Sequence, residues 1–221
     1  MSSTTTTSSS SNVFASSHPL VQQKVAELRS AANTPRQVRE LTDAIGRLLM
    51  YEVTRDMGPL ESTGTHASPV GAYEGTRLRP THALVPILRS GLALLGAATD
   101  LLPDAEIRHL GLFREEATLT PVEYYNKLPR TCAVDECIVL DPMIATGGTA
   151  DAAIQILRHW GVPSIRFVAV CASRKGIDAL AAKHPDVSFY VAAVDDVLNA
   201  RGLVVPGIGD CGDRLNNTAA S

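Results

Sequence analysis

Cys137-Ile138-Val139-Leu140-Asp141-Pro142-Met143-Ile144-Ala145-Thr146-Gly147-Gly148-Thr149 is the run from which the rest of this 221-residue chain is best read. Ile138, Val139 and Leu140 form an unbroken apolar stretch, the pattern of a parallel strand covered on both faces. Asp141 closes it, at the strand end where open α/β sheets gather their ligand chemistry. Gly147 and Gly148 allow a loop backbone to approach a ligand closely. A helix is expected from about Ala150 to Trp160. The free N–H groups at its start, together with the helix dipole, suit a phosphate. Thr146 and Thr149 add hydroxyl donors. The run reads as a holder for a sugar phosphate. The plainer alternative is an ordinary strand-turn-helix connection with an N-capping threonine.

Upstream, Thr81 to Leu88 reads as a strand, followed by Arg89-Ser90-Gly91 and a helix from Leu92 to Leu102. Ile107 to Phe113 is strand-like and leads into Arg114. Glu115 to Pro129 has weak periodicity but carries Tyr124, Tyr125 and Lys127. Downstream, Ile165 to Cys171 is another buried strand, Lys175 to Lys183 a helix and Ser188 to Val194 a further strand. Strands alternating with helices predict an α/β fold, a mostly parallel central sheet flanked by helices.

Two helices are expected between the N-terminus and the arm. Leu20, Val21, Val25 and Leu28 share a face after His18-Pro19. Thr34 can cap a second helix, Pro35 suits its first position and Gln37 completes a capping box. This helix is expected to reach about Arg55. Met57 to Pro80, rich in Gly, Pro, Ser and Thr, reads as a surface loop or a hairpin arm. The Gly-dense ending from Gly202 to Arg214 reads as an irregular, tightly turned segment. Residues 1–12 form a Ser/Thr tract without apolar content and are expected to be a disordered tail, leaving 13–221 as a single domain.

Composition excludes several classes. The formal net charge of -3 gives no basic footprint for nucleic acid. No apolar run approaches the roughly 18 residues that span a bilayer. Cys132, Cys137, Cys171 and Cys211 show no CxxC spacing, which suits free thiols in a reducing compartment, the cytoplasm, better than a disulfide framework. The six histidines have no metal-ligand spacing.

Two familiar phosphate loops fail here. No Lys follows Gly148, as the P-loop requires, and no GxGxxG follows the strand. What remains, Asp-Pro-Met-x-Ala-Thr-Gly-Gly-Thr over 141–149, resembles the phosphoribosyl-diphosphate loop of type I phosphoribosyltransferases. Most of that superfamily carries two acidic residues here; Pro142 in place of the second resembles the uracil phosphoribosyltransferases. Val85-Pro86-Ile87-Leu88-Arg89-Ser90-Gly91-Leu92 is similar to a second segment of that family. Arg114 with Glu116, Thr118-Leu119, Pro121-Val122 and Tyr124 is similar to its flexible active-site loop. Pro206-Gly207-Ile208-Gly209-Asp210-Cys211-Gly212-Asp213-Arg214 is similar to its uracil-binding ending. The family usually has Tyr at Leu203 and Ala at Cys211.

The resemblance implies the type I phosphoribosyltransferase fold, with a C-terminal base-binding hood and a protruding arm. It implies transfer of phosphoribosyl to uracil, giving UMP and diphosphate, a pyrimidine-salvage reaction. Arg89, Arg114, Asp141 and Asp210 are then the catalytic candidates. Phosphoribosyl diphosphate is expected on Arg89, Arg114, Asp210 and the run Asp141, Pro142, Met143, Ile144, Ala145, Thr146, Gly147, Gly148 and Thr149. Uracil is expected on Val204, Gly209, Asp210 and Cys211. Mg²⁺ is implied on the substrate diphosphate, with Asp210 facing the diphosphate and its metal through water or directly. The segment Glu115 to Pro129 is expected to close over the diphosphate. The family also implies a homodimer or homotetramer, and some of its members respond to GTP as an allosteric activator. Rival readings are a phosphoribosyltransferase for another base, and a non-catalytic phosphoribosyl-diphosphate sensor.

Overall fold

The structure is a computed structural model; it describes residues 12–114, 121–200 and 202–218, with Arg114 and Pro121 described by backbone alone. The first eleven residues of the expected tail, and the part of the closing segment over 115–120, lie outside the described residues. Asn12, counted above with the tail, is fastened: its side-chain amide donates to the carbonyls of His184 at 3.0 Å and Val187 at 2.7 Å.

Strand β1 (Val13–Ala15) is followed by α1 (Pro19–Leu28), which buries Val21, Val25 and Leu28. Helix α2 (Pro35–Val53) starts with the expected capping box: Gln37 N–H donates to Thr34 Oγ1 at 3.3 Å, and Thr34 N–H donates to Gln37 Oε1 at 2.8 Å. A Thr34→Ala variant is expected to lose about 1 kcal/mol of unfolding free energy, read by urea denaturation, with turnover unchanged. Strands β2 (Leu60–Ser68) and β3 (Gly71–Leu78) form an antiparallel hairpin, so the loop-or-arm alternative resolves to an exposed arm.

Strand β4 (His82–Leu88) leads into α3 (Leu92–Leu101). The single strand expected over Ile107 to Phe113 is broken into β5 (Glu106–Ile107) and β6 (Leu110–Arg114), which pair with the early and late halves of β4. Strand β7 (Pro121–Asn126) folds back antiparallel on β6. The central run then gives β8 (Glu136–Leu140), the two-residue β9 (Met143–Ile144) and α4 (Gly148–Trp160). Strand β10 (Ser164–Ser173), α5 (Arg174–Lys183) and β11 (Ser188–Asp195) follow.

The ending departs from expectation. Strands β12 (Val197–Leu198) and β13 (Val204–Val205) pair, and Cys211–Asn216 is a short helix, α6, inside the stretch read as irregular. Asp210 caps α6 by accepting the Asp213 N–H at 2.9 Å. Six residues are too few to display a helical period, which is why the sequence pattern concealed it.

The main sheet runs β1-β11-β10-β8-β4-β6-β7, with β5 added to β4 and β9 to β10. All pairings in it are parallel except β6 with β7. Alternate residues of the central strands feed two cores. Leu84, Ile138, Leu140 and Val168 pack toward α1, α2, α3 and the C-terminal hood. Ala83, Val85, Val139 and Phe167 pack toward α4 and α5. Burial on both faces explains the unbroken apolar runs. At the N-terminal end of the strands, Arg166 ties the sheet to the end of α2, donating to Glu136 Oε1 at 2.9 Å and Val53 O at 2.7 Å. The opposite, C-terminal end of the strands is left to the loops that carry the site.

Candidate active site

Strand β8 delivers Asp141 to the sheet's C-terminal end at 6% exposure. Ser90 donates its hydroxyl to Asp141 Oδ1 at 3.1 Å. Burial nevertheless pushes the carboxyl up to about 7, against the opposing pull of the Ser90 hydroxyl and the Met143 N–H. Pro142 turns its carbonyl back to the sheet, accepting the N–H groups of Val170 and Cys171, both at 3.0 Å. Met143 and Ile144 then pair with β10. The loop after them is pinned in register with the sheet up to its last few residues.

Those residues make a concavity of about 90 Å³ lined by Met143 to Ala150. Gly147 precedes α4 with φ +87, a left-handed conformation that glycine adopts without strain. Among the described residues no side chain caps the helix, so the capping-threonine alternative is not what the chain adopts. The helix begins at Gly148, two residues earlier than expected. The far wall of the cradle is built by α5. Ser173 Oγ donates to Ala145 O at 2.5 Å and accepts the Gly176 N–H at 2.9 Å. A cradle of aimed N–H groups at a helix N-terminus, with Thr146 and Thr149 beside it, is suited to a phosphate dianion.

The Arg89-Ser90-Gly91 turn follows β4, beside β8. Its Leu88–Arg89 peptide is cis. Gly91 sits so close to β8 that a Cβ there would lie 2.2 Å from Leu140 O. The turn is thereby wedged against the strand that carries Asp141. The Arg89 side chain is 59% exposed and its Nη2 lies 3.7 Å from Asp213 Oδ1. The turn thus faces Asp141 through Ser90 and the hood through Arg89.

In the hood, Val204, Ile208 and Cys211 are buried while Gly209 and Asp210 are exposed. Gly207 and Gly209 have φ +59 and +71, and Val205–Pro206 is cis. Burial first, then the Asp141 and Asp210 carboxyls, push the Cys211 thiol up to about 12. Cys211 is therefore a neutral apolar filler between the two aspartates. Leu203 is half-buried and joins its N–H to Asn199 Oδ1 at 3.0 Å.

The structure brings together Arg89, Asp141, the loop 142–149 and the hood residues Val204 and Gly209 to Cys211. It does not join the β7 residues to them: Tyr124 is exposed, and Lys127 lies over the Tyr125 ring at 5.9 Å from its centre. Among the described residues neither tyrosine nor Lys127 bonds to the cradle. The Arg114 side chain falls outside the description. Sequence reasoning overlooked Ser90, Ser173, Gly176 and Asp213. Ser90 and Asp213 both stood inside quoted segments, Ser90 as the hydroxyl beside the strand-end arginine and Asp213 as the second acid of the Gly-dense ending. Ser173 and Gly176 carry no local signal.

A sheet of this order, with a phosphate cradle at the end of its central strand, is the architecture of a type I phosphoribosyltransferase. A solved adenine phosphoribosyl transferase from Trypanosoma brucei shares the fold at a TM-score of 0.55 and 13% identity, covering 83% of this chain and 84% of that one. A solved structure from Aquifex aeolicus superposes at a TM-score of 0.87 with 32% identity, over 95% of this chain and all of that one. A protein of Roseiflexus sp. (strain RS-1) named uracil phosphoribosyltransferase is 48% identical over 206 residues, 93% of this chain and 98% of that protein. The uracil phosphoribosyltransferase family matches residues 15–218, and the chain belongs to it.

Proposed function

We propose that the chain transfers the phosphoribosyl group of 5-phospho-α-D-ribose 1-diphosphate to a ring nitrogen of uracil, releasing UMP and diphosphate. The observation that supports this most directly is the Arg89-Ser90 turn, which contacts Asp141 on one side and Asp213 of the hood on the other. Sugar-side and base-side groups are thereby held around one cationic turn.

In this reading the N–H groups of Ala145 to Thr149 and the two threonine hydroxyls anchor the 5′-phosphate. Asp141 receives the ribose hydroxyls. Arg89 and Arg114 pair with the departing diphosphate, since guanidinium forks match phosphate oxygens and oppose the charge that leaves. Val204 and Gly209 to Cys211 read the uracil edge with main-chain groups; a wrong exocyclic group would set donors against donors and leave them unpaired.

The residues fit a magnesium ion carried mainly by the substrate. Among the described residues no three His, Cys, Asp or Glu side chains converge on a metal position. Asp210 offers an exposed hard oxygen donor, with Oδ1 already capping α6. When bound, the ion would neutralise diphosphate charge.

Homodimer or homotetramer assembly through the β2–β3 arm, activation by GTP and a cytoplasmic location complete the reading. No helix among the described residues is long and apolar enough to cross a membrane, and the four cysteines are free. The experiment is turnover of purified protein with phosphoribosyl diphosphate, Mg²⁺ and each of uracil, cytosine, hypoxanthine and adenine, with and without GTP. UMP from uracil alone is expected. IMP without UMP would overturn the choice of base, and tight diphosphate-sugar binding without pyrophosphate from any base would make the protein a sensor.

A further inference from the structure

One largely buried ion pair serves neither the phosphate nor the sugar. Arg29, just past the end of α1, grips Asp195, the last residue of β11, with both prongs of its guanidinium: Nη1 to Oδ2 at 2.7 Å and Nη2 to Oδ1 at 2.8 Å. The Asp195 side chain is 9% exposed and that of Arg29 24%. A buried pair of this kind gains little net stability, because desolvation offsets most of the attraction. Its geometry is the informative part.

The same two side chains capture both backbone polar groups of Gly207. Arg29 Nη1 donates to Gly207 O at 2.8 Å, and Gly207 N–H donates to Asp195 Oδ2 at 2.9 Å. Gly207 sits in a left-handed conformation, pressed so close to Val204 that a Cβ would lie 2.2 Å from Val204 O. Its neighbours on either side are the groups expected to face the base: Val204 before it, Gly209 to Cys211 after it. Arg214 adds to the fastening, donating to Ile208 O and to Ser30 O, both at 2.6 Å. The carbonyls of residues 207 and 208 are thus taken by guanidinium groups, and that of Asp210 accepts the Arg214 N–H at 3.0 Å, so the turn before α6 is fastened at three successive points around the groups expected to meet the base.

We propose that Arg29 and Asp195 are the positioning pair of the base-reading segment. They fix the peptide groups of Gly207 and, through them, the spacing between Val204 and Gly209–Cys211, so that uracil affinity depends on a salt bridge that uracil never touches. The inference rests on the functional reading above, in which this segment receives the base. It separates the two substrates: the pair bears on the base, whereas the sugar-phosphate cradle is fastened independently by Ser173.

The test is steady-state kinetics of Asp195→Asn and Arg29→Lys beside the parent enzyme. Asparagine keeps an acceptor for Gly207 but releases the cation; lysine keeps the charge but lacks the fork that spans Asp195 and the Gly207 carbonyl. Each variant is expected to raise the KM for uracil about tenfold, the worth of one charge-assisted hydrogen bond. The KM for phosphoribosyl diphosphate and kcat should stay within about twofold of the parent. Affinity for UMP, measured by calorimetry, should fall while affinity for ribose 5-phosphate holds. An unchanged uracil KM in folded variants, or equal rises in both KM values, overturns the positioning role. If Asp195→Asn does not fold, the milder Arg29→Lys is judged by the same criteria. A parent enzyme that forms no UMP would instead remove the functional reading itself, so the two failures are distinguishable.

Discussion

Asp141→Asn should leave a protein that turns over on the order of 10²-fold more slowly, judged by kcat/KM for phosphoribosyl diphosphate, yet melts at a higher temperature than its parent above pH 7. The two effects have one cause. Asp141 is almost fully buried and, among the described residues, accepts only the Ser90 hydroxyl and a long contact from the Met143 N–H. Its carboxyl is raised to about 7 by burial. Between about pH 4, the ordinary value for an unfolded aspartate, and about pH 7, the folded chain therefore holds a proton that the unfolded chain has lost. Stability contributed by this group falls as pH rises across that window and stays low above it. Asparagine has no such cost and still accepts the Ser90 hydroxyl. The difference in melting temperature between variant and parent should accordingly widen from pH 4 to pH 7 and then level off. Turnover has the opposite sign, because the ionised carboxylate accepts the ribose hydroxyls through both oxygens and more strongly than the neutral acid, one of whose oxygens carries the proton; kcat/KM of the parent should rise through about pH 7. A flat melting difference between pH 4 and pH 8 would show that burial does not hold Asp141 protonated.

Gly176→Ala should be nearly as damaging to substrate binding from a residue that touches no substrate. Alanine is the better helix former by about 1 kcal/mol, and α5 alone would accept it. A Cβ at position 176, however, would lie 2.2 Å from Ala145 O and 2.9 Å from Ser173 Oγ. The overlap is with backbone, so no side-chain rotation relieves it. Relief requires the Ala145 carbonyl to move away from α5, and with it the N–H groups of the cradle. A shift on the order of 1 Å in a preorganised anion site can cost about 10²-fold in affinity. Equilibrium binding of phosphoribosyl diphosphate to the variant is the measurement, with circular dichroism to show that the chain still folds. Affinity within about twofold of the parent would mean that the loop and α5 are not rigidly coupled.

The parts of this molecule that could be read from sequence are those in which local pattern and chemistry coincide. The run from Cys137 to Thr149 places its strand, its acid and its phosphate loop side by side, so a single window holds the whole inference. The α2 capping box is equally local, confined to the four residues from Thr34 to Gln37. The break between β5 and β6 was hidden because Ile107 to Phe113 is apolar enough to pass as one strand. Arg29 and Asp195 lie 166 residues apart, and neither has a neighbour that marks it as functional. Gly176 matters only because of where Ala145 O lies, a fact about the folded chain rather than about spacing. The cradle was legible and its supports were not.

The hood also sets an order of events during synthesis. Arg29 leaves the ribosome early, and Gly207, to which it must bond, follows 178 residues later. Strand β1 waits for β11, Arg39 for the Leu215 carbonyl and Ser30 for Arg214. The base-reading face stays open until nearly the last described residue is made. Contacts so distant along the chain close slowly. The base-reading face is therefore the part of the molecule whose closure needs the whole chain.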